Sequence, residues 1–219
     1  FLGTGTSAGI PVIGCNCDVC VSADPRNRRR RTSLYLCSGK TSLLIDAPPD
    51  FREQALTFGV NRVDTVLFTH SHADHIFGFD DIRRFNTIQG SVIPAYARKE
   101  TLADIRKVFD YITQTDTPGL YRPKIDFREI KGPFDAGDFR IEALPVEHGR
   151  KTTVGFLLES EQRSCGYVPD CRRMPASTLE RFRNVDVMIL DALRHKPHRT
   201  HLNLEESVQT LKSISADRS

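Results

Sequence analysis

The stretch Thr69-His70-Ser71-His72-Ala73-Asp74-His75 places four groups able to bind a divalent metal within six consecutive positions. Imidazole nitrogens and a carboxylate suit zinc, iron or manganese. The run before it, Val63–Phe68, reads as a buried strand. Residues i and i+2 of a strand share a face, so His70 and His72 can point the same way. Asp74 and His75 fall in the following turn, within reach of a second position. Three of the chain's seven histidines crowd here, which a chance polar loop does not explain. Two further candidates end later strands: His148 after Phe139–Leu144, and Asp170 after Cys165–Val168. Six ligands exceed the three that one catalytic zinc usually keeps. Two cations about 3.5–4 Å apart fit better. His70, His72 and His148 would hold one, Asp74 and His75 the other, with Asp170 bridging.

Cys15, Cys17 and Cys20 form a second cluster, in Gly14-Cys15-Asn16-Cys17-Asp18-Val19-Cys20. Such a loop can wrap three thiolates round one zinc, leaving a tetrahedral place for a His or a fourth Cys. The alternative is three unrelated thiols. Six Cys in 219 residues do not resemble a secreted disulfide scaffold, and the clustering favours a metal site in a reducing cytoplasm. Gly3-Thr4-Gly5-Thr6-Ser7-Ala8-Gly9 fits neither a dinucleotide fingerprint nor a P-loop. It reads as a structural turn lining the site. The basic run Arg26, Arg28, Arg29, Arg30 and Arg31 is either a solvated face or a positive rim that draws in an anionic substrate. Asp46 either accepts an N–H from a ligand His or is a plain turn residue.

Several elements must position these groups. A hydrophobic content of 39% and a charged content of 27% are ordinary for a soluble globular chain, and a net charge of +3 argues little for nucleic acid. No apolar run approaches the roughly 18 residues of a membrane span, and no signal peptide is visible. The chain opens on Phe1 in apolar sequence, so we expect at least one residue to precede it. Strands are expected at Ser33–Cys37 and Thr41–Ile45, turning at Ser38-Gly39-Lys40. Gly78 is expected to loosen the chain before a short helix at Asp80–Phe85. Arg98–Ile112 predicts an amphipathic helix with Leu102, Ile105, Phe109 and Ile112 as its core stripe. Thr115–Pro123 reads as an exposed connection, open to a role as lid or substrate loop. Val154–Leu158 and Cys165–Val168 predict an antiparallel pair, Pro175–Arg183 a helical piece, and Val185–Leu190 a strand ending at Asp191. Asn203–Ile214 predicts a helix with Leu204, Val208, Leu211 and Ile214 on one face. We read one domain over residues 1–219.

His70-Ser71-His72-Ala73-Asp74-His75 with later His148 and Asp170 resembles the metallo-β-lactamase superfamily of metallohydrolases, over nearly the whole chain. The Gly3-Thr4-Gly5-Thr6 turn and the Cys15–Cys20 loop resemble the branch containing the carbon–phosphorus lyase accessory phosphodiesterase. That resemblance implies an α/β (α+β) fold, a four-layer αββα sandwich with two metals at one edge of the sheets. It implies a hydrolase of small or cyclic phosphodiesters, with two active-site cations (zinc or manganese) and one structural zinc on Cys15, Cys17 and Cys20. His201 matches an active-site His outside the metal ligands and would act as general acid. Asp74 counts with it among the catalytic residues. The branch also carries Thr-His-x-x-His after the last helix, so we expect the natural chain to continue past Ser219; His195 and His198 are the substitutes if it does not. Thioester or lactone hydrolysis, sulfur chemistry at iron, tRNA processing and a non-enzymatic zinc-binding role stay open. No long basic Gly/Pro-rich insertion of a tRNA-gripping kind is present, so nucleic acid is disfavoured. The expected partner is a small phosphodiester in the cytoplasm, with no membrane; a homodimer is left open.

Overall fold

The computed structural model describes residues 1–113, 121–161 and 163–219. Its contacts divide them into two compact units. One comprises Phe1–Cys37, Ser42–Ala97 and Thr101–Arg128, the other Ser38–Thr41, Arg98–Glu100 and Glu129–Ser219.

The first unit is built on a five-stranded sheet in the order β1-β2-β3-β4-β5. Its strands are β1 (Leu34–Ser38), β2 (Thr41–Ile45), β3 (Thr65–Leu67), β4 (Ile93–Ala97) and β5 (Ile125–Glu129). The helical segments are α1 (Asp18–Val21), α2 (Phe51–Phe58), α3 (Ala73–Ile76), α4 (Ile82–Gln89), α5 (Lys99–Val108) and α6 (Asp110–Thr113). β2 and β3 run parallel, pairing Leu43 with Thr65 and Ile45 with Leu67, and β3 pairs in parallel with β4 at Val66 and Ala95. Parallel neighbours need crossovers, which α2 and α4 supply. Every residue of β3 is buried, as befits a strand covered on both faces. The strand is shorter than the apolar run suggested, because Val63 packs in the core before pairing begins.

Two sequence expectations change here. The helix predicted over Arg98–Ile112 is interrupted at Phe109, giving α5 and α6, although Leu102, Ile105, Phe109 and Ile112 are all buried as the stripe required. Gly78 does not loosen the chain. A Cβ there would lie 2.0 Å from the Pro48 carbonyl oxygen, and its N–H donates to the Ala47 carbonyl at 2.8 Å, so Gly78 is a close-packed fixture. Gly3 plays a similar part in the first turn, where a Cβ would meet the Arg31 carbonyl at 2.0 Å. The basic run is partly structural, since Asp50 holds both the Arg31 guanidinium, at 2.7 Å, and its backbone N–H, at 2.8 Å. The expected connection Thr115–Pro123 falls largely on residues 114–120, outside the described residues.

The second unit carries another five-stranded sheet, in the order β10-β9-β8-β7-β6. Its strands are β6 (Phe134–Ala136), β7 (Phe139–His148), β8 (Lys151–Ser160), β9 (Arg163–Val168) and β10 (Val187–Leu190), with helices α7 (Ala176–Arg181) and α8 (Leu204–Ile214). β7 and β8 form a long antiparallel hairpin from Arg140↔Glu159 to His148↔Lys151, so β7 continues through Pro145 and delivers His148 at its end. β8 and β9 are antiparallel as expected, and β10 runs parallel to β9. α8 starts at a capping box: the Asn203 side chain accepts from the Glu206 N–H, and Glu206 accepts from the Asn203 N–H. Its buried residues are Ser207 and Ile214, whereas Leu204 and Val208 are more than 40% exposed. The C-terminal half of the predicted stripe holds, with Ile214 in the core and Leu211 packed against it, whereas its first half turns outward after buried Leu202 and Asn203. Among the described residues no helix is long and apolar enough to cross a membrane.

Candidate metal centre

In the first unit, β2 and β3 end side by side and carry the chemistry past their ends. Asp46, at the end of β2, is fully buried and has a φ of +60°. A residue other than Gly rarely adopts that region, though Asp is among the few that tolerate it. Its carboxylate accepts the Thr69 N–H at 2.9 Å, the Thr69 hydroxyl at 2.8 Å and His75 Nδ1–H at 2.8 Å. The Thr69 hydroxyl proton is thereby committed, so Thr69 Oγ1 accepts from His70 Nδ1–H at 3.0 Å. One carboxylate thus sets the tautomers of two histidines. In both rings Nε2 is left as the nitrogen with a lone pair.

His70 Nε2 lies 2.9 Å from His72 Nδ1, and the His70 ring centroid is 4.1 Å from that of His75. α3 places Asp74 Oδ2 3.5 Å from His75 Nε2. His70 and His75 are fully buried. Nitrogen lone pairs held this close in a buried setting suit a shared cation, and the donor set fits the divalent metals expected from the sequence. Ser71, between two of these histidines, donates its hydroxyl to Asp104 on α5 at 2.5 Å.

The second unit holds the other expected residues. His148 Nδ1–H donates to the Thr200 carbonyl at 2.8 Å, again leaving Nε2 as the donor nitrogen, and that atom is 3.5 Å from Asp170 Oδ2. The His148 and His201 rings are 4.6 Å apart. His201 Nδ1 pairs with Asp191 Oδ2 at 2.8 Å, and the same carboxylate accepts the Cys171 N–H at 3.0 Å. Burial pushes the Asp191 carboxyl up from its usual range, and the His201 partner opposes that shift. His198 stacks near His201 at 5.1 Å, and desolvation, followed by the nearby His201, lowers its affinity for a proton. His195 is exposed.

Sequence reasoning left Asp46 open between two roles, and the structure gives it the His-orienting one. It missed Asp191, Thr69, Thr200 and Asp104. Asp191 carried a usable signal, because it ends an apolar strand in the same way as Asp46. The other three act through a hydroxyl, a backbone carbonyl and a distant helix, which no local pattern announces.

The three loop thiols also come together. Cys15, Cys17 and Cys20 offer sulfurs within 4.8 Å of one another. The Val12 N–H donates to Cys20 Sγ at 3.4 Å. The backbone N–H of Cys20, then the neighbouring thiols of Cys15 and Cys20, lower the Cys17 pKa, which favours the thiolate a metal requires. The set fits a zinc ion with one further place.

A sequence profile described as the beta-lactamase superfamily domain matches residues 41–219. The chain belongs to this superfamily. A solved diphosphatase from the PhnP family superposes with a TM-score of 0.88 at 37% identity, covering 98% of this chain and 81% of that one. The chain is thus of the PhnP-like branch, and its mixed α/β architecture with two five-stranded sheets is that of the metallo-β-lactamase fold. A protein of Porphyromonas gingivalis named octanoyltransferase is 34% identical over 98% of the chain and 43% of its own length. A ribonuclease Z of Gemmatimonas aurantiaca is 25% identical over 68% of the chain and 48% of its own length. The chain therefore spans about half the length of the curated relatives it matches.

Proposed function

We propose that this superfamily member is a hydrolase that uses two divalent cations to cleave small or cyclic phosphodiesters. His70, His72 and His148 would hold one cation, and Asp74 and His75 the other, with Asp170 available to both. The observation that carries the reading is the common design of the donors: in His70, His75 and His148, Nδ1 is bound from behind by a hydroxyl, a carboxylate or a carbonyl, and Nε2 is presented. Such backing is characteristic of metal-ligating histidines. A bound pair of cations supplies Lewis acidity toward water and toward a phosphoryl oxygen.

The chain's own groups complete the reaction. Water adds its oxygen to phosphorus and gives up one proton to solvent as the bond from phosphorus to the departing alkoxide breaks. Asp191 holds His201 by Nδ1, so Nε2–H of the imidazolium is the proton given to that alkoxide. Cys15, Cys17 and Cys20 would hold a structural zinc, which would shape their loop. The likeness to a PhnP-family diphosphatase favours phosphorus as the centre attacked.

The octanoyltransferase name of the P. gingivalis relative favours a second reading, hydrolysis of an acyl thioester by the same donors. The deciding experiment sets purified, metal-analysed protein against a chromogenic phosphodiester and an octanoyl thioester, with and without chelator. Chelator-sensitive turnover of the diester alone is expected. Turnover of the thioester alone would replace the phosphodiester reading, and hydrolysis of neither would favour a zinc-binding role.

A further inference from the structure

His72 differs from the other imidazoles of the candidate centre in the atom it presents. His70, His75 and His148 turn Nε2 forward and are bonded from behind at Nδ1. In His72 it is Nδ1 that lies 2.9 Å from His70 Nε2, so the nitrogen that takes the backing bond in the other rings faces the site instead. Packing also holds this ring less, since His72 is half-buried where His70 and His75 are fully buried. Nδ1 is only two bonds from Cβ, so its position follows the backbone closely.

That backbone is pinned on both sides. After His72, its carbonyl accepts the His75 N–H at 3.0 Å as α3 begins. Before it, Ser71 donates its hydroxyl to Asp104 Oδ2 at 2.5 Å, from a helix far along the chain. A hydroxyl bonded to a carboxylate belongs to the short, charge-assisted class, about twice as strong as a neutral bond. Asp104 is half-buried on α5, and Thr101, Leu102 and Ile105 of that helix are buried. The anchor is therefore fixed by packing that the turn does not share.

We infer that Asp104 is a positioning residue: through Ser71 it fixes the backbone between His70 and His72, so that His72 Nδ1 stays aimed at the cation proposed for His70, His72 and His148. The inference rests on the two-cation reading and adds a support that none of the ligand residues supplies. Asp104 acts through the bond it accepts and not through its charge, so Asn, which keeps an oxygen acceptor, serves in its place.

Zinc binding to three variants tests it. Asp104→Ala and Ser71→Ala should each weaken the His70, His72 and His148 site about 10–100-fold in chelator competition, and leave the Asp74 and His75 site within about twofold. Asp104→Asn should stay within about threefold of wild type at both sites. Ser71→Ala combined with Asp104→Ala should lose no more than either alone, because both delete one bond. Equal weakening of both sites, an additive double variant, or no rescue by Asn overturns the inference. The second readout needs no metal. The His70 and His72 ring centroids are 4.5 Å apart, so metal-free protein should show a ring-to-ring proton NOE that both alanine variants lose and Asp104→Asn keeps. Persistence of that NOE in the alanine variants overturns the inference. If wild-type protein takes up no zinc at the histidines, the two-cation reading fails, and the NOE alone decides the positioning role.

Discussion

The His70–His75 turn and the Cys15–Cys20 loop are both short runs of metal donors, yet they are held by opposite means. Around the first, Asp46 and Thr69 tie His70 and His75 from behind, in a fully buried setting. Around the second, α1 buries no residue, Cys17 is exposed and the neighbouring Ile13 is 96% exposed. The histidine turn is shaped by the core. The cysteine loop has little packing of its own, so its form would depend on the ion it is proposed to bind. On the proposed reading, one region would place metal for chemistry and the other would take order from it.

The largest effect is expected at His201, which is backed by Asp191 in the manner of the buried histidines. His201→Ala should reduce kcat on alkyl diesters by about 10²–10⁴-fold. The loss on a nitrophenyl diester should be far smaller, because that leaving group needs no proton. Comparing the two substrates in steady state checks this, and equal losses would remove the acid role.

Next comes Asp46→Ala. It leaves the buried Thr69 N–H without its acceptor, at a cost of about 1–3 kcal/mol, and frees His75 to rotate. Metal affinity at the histidine turn should fall by about 10–100-fold, as read by competition with a chromogenic chelator. An unchanged affinity would mean that the backing carboxylate does not matter. Cys17→Ser has the smallest expected effect on activity. It should lower Tm and erase hydrogen-exchange protection over residues 12–21, while residues 69–77 keep theirs and the active-site metals remain. Loss of protection in both segments would break the contrast between the two regions.

Much of this contrast was legible from residue types. His70, His72, Asp74 and His75 announce themselves by spacing after an apolar strand, as do the three cysteines. The strand ends at His148 and Asp170 follow from the same logic, and the core stripe of α5 and α6 was visible in Leu102, Ile105, Phe109 and Ile112. What was not legible depends on tertiary contact. The α2 helix buries only Phe51 and Gln54, too few positions to print a periodic signal. The exposed Leu204 and Val208 mimic a core face that buried Leu202 and Asn203 turn aside. The carbonyl of Thr200 behind His148 is a backbone atom, and backbone atoms leave no mark in a sequence.

The central claim is that donors from distant parts of the chain grip a pair of cations. Diffraction from metal-loaded crystals at the absorption edge of the bound element tests it most directly. We expect two anomalous peaks about 3.5–4 Å apart, touching His70, His72, Asp74, His75, His148 and Asp170, with a separate peak among the three thiols. A single peak on the histidine turn, or peaks that leave out His148 and Asp170, would contradict the account.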